Sequence, residues 1–267
     1  MTKEKKSLPG QIYRYRAANK FSFIELGSRS IWMASVASFN DPFEFASLDS
    51  DFDDTPENRE FAVRFTESNM ELPREAIEEL LKTTDWEDMR ESMRNTIESK
   101  INNRGVACLS LRVDSELMWG HYADGHRGFV VGYDTSCFPF SDALEVSYSD
   151  ELARISFKEI LEDPDGMFDR INSISTTKSG NWSYEDEYRI VNPRPNSANQ
   201  SFRVPSEAIK SITFGAKTTN DDKSTVGRLV QDLDIEFYEA RLSKKEYGLE
   251  VYRLEYDPQE LPKNRKS

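Results

Sequence analysis

In "GQIYRYR" (Gly10–Arg16) aromatic and basic residues alternate after Pro9-Gly10, the period-two pattern of a strand. On it Ile12, Arg14 and Arg16 share one face, and Tyr13 and Tyr15 the other. "AANKFSFIELG" then reads as a short helix stopped by Gly27, with Phe21, Phe23, Ile24 and Leu26 on its buried side. "SIWMAS" predicts a second strand, and Asn40-Asp41-Pro42 in "VASFNDPFEF" demands a turn. The period changes over residues 51–103, which are glycine-free, charged and helical in spacing. Thr55-Pro56-Glu57 opens one helix there and Leu72-Pro73 separates it from the next. This segment predicts a helical insertion, a scaffold or lid on the body.

Beyond it, "GVACLSLR" returns to strand, and "VDSELMWGHYA" predicts a short helix with Asp114 or Ser115 as N-cap. "GHRGFVVGYD" and "ALEVSYSD" predict strands, Glu151 to Ile171 a helix, and "NWSYEDEYRIVNP" a further strand. Strands in "FRVPSEAIKSITFGA", "DIEFYEARL" and "LEVYRLEY", with a helix over "DDKSTVGRLVQDL", complete the chain. The pattern predicts one α+β domain over 1–267: a central mixed or antiparallel sheet, flanking helices and the insertion at 51–103.

Composition narrows the function classes. The hydrophobic fraction is only 37%, but 16 Phe, 11 Tyr and 4 Trp concentrate apolar area in large side chains. A net charge of −13 opposes broad binding to nucleic-acid phosphates. The basic stretches "KEKK" and "KNRKS" read as solvated tails. With two cysteines, no apolar signal-type run and no membrane-length segment, the chain reads as cytoplasmic, without disulfides or membrane contact.

Both histidines, His121 and His126, fall in "SELMWGHYADGHRGFVVGYD". His121 would end a short helix, where an imidazole caps free carbonyls. The sharper alternative is zinc held by Cys108, His121, His126 and Cys137, but no C-x-x-C knuckle accompanies them, and no metal is expected. In "KSGNWSYEDEYRIV", a strand would aim Glu185, Glu187 and Arg189 at one face and Tyr184, Asp186 and Tyr188 at the other. Such a face is either a solvated ion-paired edge or the working wall of a cleft, and Trp182 just before it favours the cleft. Arg14 or Arg16 could hold a phosphate or carboxylate, while Asn40 and Asp41 suit an Asx turn. Glycine-rich phosphate loops, a G-x-S-x-G elbow and H-E-x-x-H are absent.

"IYRYR", "IWMASVASFNDPFEF", "GVACLSLR", "LMWGHYADGHRGFVVGYD" and "WSYEDEYRIV", in that order from about Ile12 to Phe214, resemble the bacterial family called domain of unknown function 2971. A second, weaker resemblance is to ADP-ribosyltransferases, carried by "IYRYRAANKFSFIELGSRSIWMAS" and the late "EDE", with "STT" close before it. That likeness implies a substrate, NAD or a related nucleotide, rather than a tightly bound cofactor. Glu187 would steady the oxocarbenium-like ribose, Glu185 would orient or deprotonate the acceptor, and Arg14 or Arg16 would grip the diphosphate. His121 or His126 would position substrate or act as base, and Tyr15, Asn40, Asp41, Trp119, Tyr122, Trp182 and Arg189 would complete the binding cleft. A protein or nucleic-acid acceptor, and a toxin or anti-phage role, are what the resemblances imply. The rivals are a non-catalytic sensor or interaction module and a metal-dependent nuclease using Asp41, Glu44, Glu185 and Glu187.

Overall fold

A computed structural model describes residues 7–44, 52–70, 72–152, 156–163 and 165–255; the basic stretches near both ends lie outside them. In chain order the strands are β1 (Gln11–Arg16), β2 (Ser30–Ser35), β3 (Gly105–Ser110), β4 (Phe129–Asp134), β5 (Leu144–Glu145), β6 (Ser147–Ser149), β7 (Thr177–Ser179), β8 (Glu187–Val191), β9 (Gln200–Arg203), β10 (Ile209–Phe214), β11 (Glu236–Leu242) and β12 (Leu249–Arg253). Ten form one sheet in the order β12-β11-β10-β4-β1-β3-β2-β9, with β8 also paired to β3 and β5 to β8. The β10–β11 pair is parallel and the other pairs of this sheet are antiparallel. β6 and β7 make a separate parallel pair. The helices are α1 (Lys20–Gly27), α2 (Pro56–Asn69), α3 (Arg74–Thr83), α4 (Trp86–Asn102), α5 (Glu116–Tyr122), α6 (Phe157–Glu162), α7 (Met167–Ser175) and α8 (Asn220–Leu229). The expected α+β class, a mixed and mainly antiparallel sheet with flanking helices, is what the chain forms.

The sheet is split beside β3. β8 pairs with β3 from Val106 to Ser110 on one side. On the other side β1 meets β3 at Tyr13↔Ser110, and β2 meets it at Ala34↔Val106 and Ser35↔Gly105. Between those contacts β1 and β2 part, and Cys108 lies at the level of the gap. Gly128 keeps the end of β1 in place: a Cβ there would meet the Arg16 carbonyl oxygen at 2.0 Å.

Alternation along the strands sends side chains to two faces. One face, with Ile12, Ile31, Met33, Val131 and Ile190, is covered by Leu26 of α1 and Val226 of α8. The other is covered in two halves. Met118 and Trp119 of α5 pack on Tyr15 and Val130. The helical segment, through Phe61, Ile77, Trp86 and Ile101, packs with Ile160, Ile171 and Ile174 of α6 and α7 against Val106 and Val191. A cavity lies where these two coverings fail to meet.

Expectations for α1, for the helix after β6 and for "ALEVSYSD" differ from the structure. In α1 the buried positions are Ser22, Glu25 and Leu26, whereas Phe21 and Ile24 are 74% and 56% exposed. The helix is rotated so that Glu25 reaches the arginines of β1. The single helix expected from Glu151 to Ile171 is two, α6 and α7, with the Asp163 carboxylate accepting from Gly166 N–H at 3.1 Å between them. "ALEVSYSD" breaks at Val146, since β5 pairs with β8 and β6 with β7. The Asn19 Oδ1 caps α1, accepting from Phe21 N–H at 3.0 Å and Ser22 N–H at 3.1 Å. Asn19→Ala is expected to cost about 1 kcal/mol, read as a lower urea midpoint with an unchanged slope.

Candidate functional site

The segment entering β8 is not the strand its pattern predicted. Gly180–Glu185 is a 3-10 turn, Asp186 adopts a left-handed φ of 42°, and the strand begins at Glu187. Short polar side chains such as Asp tolerate that conformation. The Ser110 hydroxyl donates to the Glu185 carbonyl at 2.6 Å and Leu111 N–H to the Asp186 carbonyl at 2.8 Å, which hold the turn against β3. Despite the turn, Glu185, Glu187 and Arg189 converge.

They converge on Lys178, the middle residue of β7. Its Nζ lies 2.7 Å from Glu185, 3.1 Å from Glu44 and 3.2 Å from Glu187. Arg189 grips Glu187 from Nε and Nη2, both at 2.8 Å, donates from Nη1 to the Ser175 carbonyl at 2.7 Å, and also pairs with Glu44. The Tyr122 hydroxyl donates to Glu185 Oε1 at 2.7 Å. All five charged side chains are buried, Arg189 completely. Glu44, Glu185 and Glu187 outnumber Lys178 and Arg189 by one charge.

Burial and the placing of the two cations set the titration of the pair. Burial raises the Glu185 pKa, against the pull of Lys178. Burial also opposes ionisation of Glu187, but the Arg189 guanidinium prevails and holds its pKa below the usual carboxylate range. Lys178 remains an ammonium despite burial, its pKa raised by Glu187, Glu44 and Glu185. Two carboxylates two residues apart are thus pushed in opposite directions, the arrangement that divides proton transfer from charge stabilisation.

β1 supplies a wall of opposite sign. Glu25 of α1 faces Arg16 Nη2 at 2.8 Å and Arg14 Nε at 3.5 Å. Arg14 bridges the parted strands by donating from Nη2 to the Trp32 carbonyl at 3.0 Å. Among the described residues nothing accepts from Arg14 Nη1 or Arg16 Nε, although both atoms are buried. An unmet buried donor costs about 1–3 kcal/mol, and here two guanidinium groups face one carboxylate.

A cavity of about 350 Å³ joins the two walls. Of the residues expected at a site, Arg14, Tyr15, Arg16, Asn40, Tyr122, Glu185, Glu187 and Arg189 line it. His121, Asp41, Trp119, His126 and Trp182 do not. His121 sits on the exposed rim, its ring 6.2 Å from that of Tyr122 and 6.3 Å from that of Tyr184. Asp41 caps its own turn, accepting from Phe43 N–H at 2.9 Å, and borders a second cavity of about 260 Å³ that shares Glu44 and Lys178. Trp119 is core: fully buried, edge-on to Tyr15, donating to the Val113 carbonyl at 2.8 Å. His126 stacks on Trp119 at 6.3 Å, and burial lowers its pKa. The Trp182 ring lies 4.7 Å from Lys178 Nζ.

Cys108, His121, His126 and Cys137 do not gather. Among the described residues no group of three or more His, Cys, Asp or Glu could hold a metal ion. Cys108 opens onto the cavity but is surrounded by protein, and that burial together with Glu187 raises its thiol pKa. Lys178 Nζ occupies the centre between Glu44, Glu185 and Glu187, where a divalent ion would have to sit.

Lys178 and Trp32 have no role in any reading of the sequence, and Glu44 and Cys108 enter it only as ligands in the rival metal readings. Glu44 and Cys108 stand in motifs already singled out. For Lys178 the sequence offers no signal beyond its place at the head of "KSGNWSYEDEYRIV". Trp32 carried the plainest signal, a large aromatic alternating with Ile31 and Met33.

Residues 118–190 match the family described as "Protein of unknown function (DUF2971)". The likeness expected from the motifs therefore holds from α5 to β8, a stretch containing Tyr122, Lys178, Glu185, Glu187 and Arg189. No curated protein and no solved structure matches the chain. Among the described residues no helix is long and apolar enough to cross a membrane.

Proposed function

We propose that the cavity is the active site of an enzyme that breaks the N-glycosidic bond of NAD or a related nucleotide and passes the ribosyl group to water or another acceptor. The observation that carries this reading is the excess carboxylate in a buried cluster lining the cavity, with Glu185 and Glu187 shifted in opposite directions. As the bond from the ribose anomeric carbon to the nicotinamide nitrogen breaks, its electron pair leaves with nicotinamide, which departs neutral. Positive charge then builds on the sugar, and the ionised Glu187 stabilises it. The acceptor forms the new bond to the anomeric carbon and gives its proton to Glu185, whose raised pKa makes it a better base. Arg14, with its unmet Nη1, holds the anionic part of the substrate. A protein or nucleic-acid acceptor is compatible with the exposed aromatic rim of His121 and Tyr184.

The test is nicotinamide release from NAD by purified protein, with and without cell lysate. Release is expected, and its rate should rise with pH through a limb displaced above the ordinary carboxylate range. Glu185→Gln should abolish that limb. If the protein neither binds NAD nor releases nicotinamide, the proposal is wrong.

One observation favours a second reading. Glu187 is fully engaged by Arg189 and Lys178, as it would be if the network only braced β8 in a non-catalytic interaction module. That module would bind a partner through the acidic surface and turn over no nucleotide.

A further inference from the structure

Trp32 is 40% exposed and lines the cavity. Its neighbours on β2, Ile31 and Met33, point the other way into the core. Among the described residues no aromatic ring or cation packs on the indole, whereas Trp86 stacks on Phe52, Trp119 meets Tyr15 and Trp182 covers Lys178. The backbone beneath it is held from both sides. Trp32 pairs with Ser201 on β9, and its carbonyl accepts from Arg14. The protein thus presents a part-exposed indole with no stacked partner among the described residues, beside a buried guanidinium that has an N–H to spare.

β3 stands between β2 and β8. Glu187 is level with Ser110, and Trp32 lies two residues past the last β2–β3 pairing at Ala34↔Val106. Trp32 and Glu187 are therefore separated by two strand spacings and about two residues along the sheet, roughly 12 Å or more. A ring resting on Trp32 is therefore not the ring that leaves at Glu187. We propose that Trp32 is the stacking platform for a second planar base of the substrate, whose linking phosphate meets Arg14, so that the cavity takes a dinucleotide rather than a mononucleotide. This rests on the nucleotide reading of the same cavity and adds to it which end of the substrate is recognised.

The experiment compares wild type, Trp32→Ala and Trp32→Phe by titration calorimetry with NAD, ADP-ribose, AMP and nicotinamide mononucleotide, and by steady-state kinetics with NAD. Trp32→Ala is expected to weaken NAD, ADP-ribose and AMP about tenfold to a hundredfold, the range that base–aromatic stacking supplies. Trp32→Phe should recover most of the loss, and nicotinamide mononucleotide should bind all three proteins alike. With NAD as substrate, KM should rise and kcat hold. Urea unfolding of Trp32→Ala should stay close to wild type, since Trp32 belongs to none of the three buried apolar clusters. Unchanged affinity for ADP-ribose in Trp32→Ala, an equal loss for nicotinamide mononucleotide, or no binding of any of these nucleotides by wild type would each overturn the platform. Trp32-dependent binding of ADP-ribose without nicotinamide release would remove the proposed reaction and leave the platform standing. Nicotinamide release indifferent to Trp32→Ala would do the reverse.

Discussion

Lys178→Met is expected to destabilise the fold by about 3–5 kcal/mol at neutral pH, the usual result of removing one partner from a buried ionic cluster. The ammonium lies within 3.2 Å of three carboxylates, and methionine fills a similar volume without answering any of them. The loss should depend on pH with a definite sign. In the variant Glu185 loses the cation that opposes the effect of burial, so its pKa, already raised, rises further above that of the unfolded chain, and the penalty is full at neutral pH. It shrinks as pH falls through the raised value and the acid takes up its proton. In wild type Glu187 behaves oppositely. Its folded pKa is depressed, so its contribution is present above the unfolded carboxylate pKa and is lost as pH falls through the lower folded value. Urea midpoints followed from neutral to mildly acid pH should therefore converge. Adding Glu185→Gln to Lys178→Met should restore part of the stability, a coupling that a double-mutant cycle reads directly. Parallel pH curves would mean that Lys178 does not hold the carboxylates ionised.

Glu187→Gln is expected to lower the rate of nicotinamide release roughly 10²–10³-fold, the scale of losing one electrostatic stabiliser of the transition state, with little change in KM. The fold should survive the change, because charge balance improves. Lys178 and Arg189 would then face Glu44 and Glu185, two cations against two carboxylates. Rate and stability are thereby separated. A variant that loses stability in proportion to activity would favour the bracing role, and one that releases nicotinamide at the wild-type rate would remove Glu187 from the chemistry.

The strands were legible in the sequence where apolar and polar positions alternate with period two, as in β1 and β2, and the helical segment where Thr55-Pro56 opens one helix and Leu72-Pro73 separates it from the next. α1 was misjudged because spacing reports apolarity and not what a buried charge requires. Glu25 turns inward to meet Arg14 and Arg16, and Phe21 and Ile24 are turned out as a result. Part of the site was readable too, since Glu187 and Arg189 share a face through alternation, whereas Glu185 joins them from the preceding turn across a left-handed Asp186. Lys178 was not readable. Its burial arises from contacts with Glu44, Glu185 and Glu187, drawn from separate turns and strands, and no local period encodes that. Trp119 and His126 were placed in the cleft for their chemistry, whereas they are packed together behind Tyr15.

Because β1 and β2 part beside β3, no backbone ladder closes the floor of the cavity between them. Across the opening the Arg14 bond to the Trp32 carbonyl ties β1 to β2, and the pairs that Glu25 makes with Arg14 and Arg16 hold β1 to α1 beside it. A guest that widened this seam would exchange those few polar contacts for its own, while every strand kept its existing neighbours. Admission and rigidity, which compete in a continuous sheet, are here assigned to different atoms.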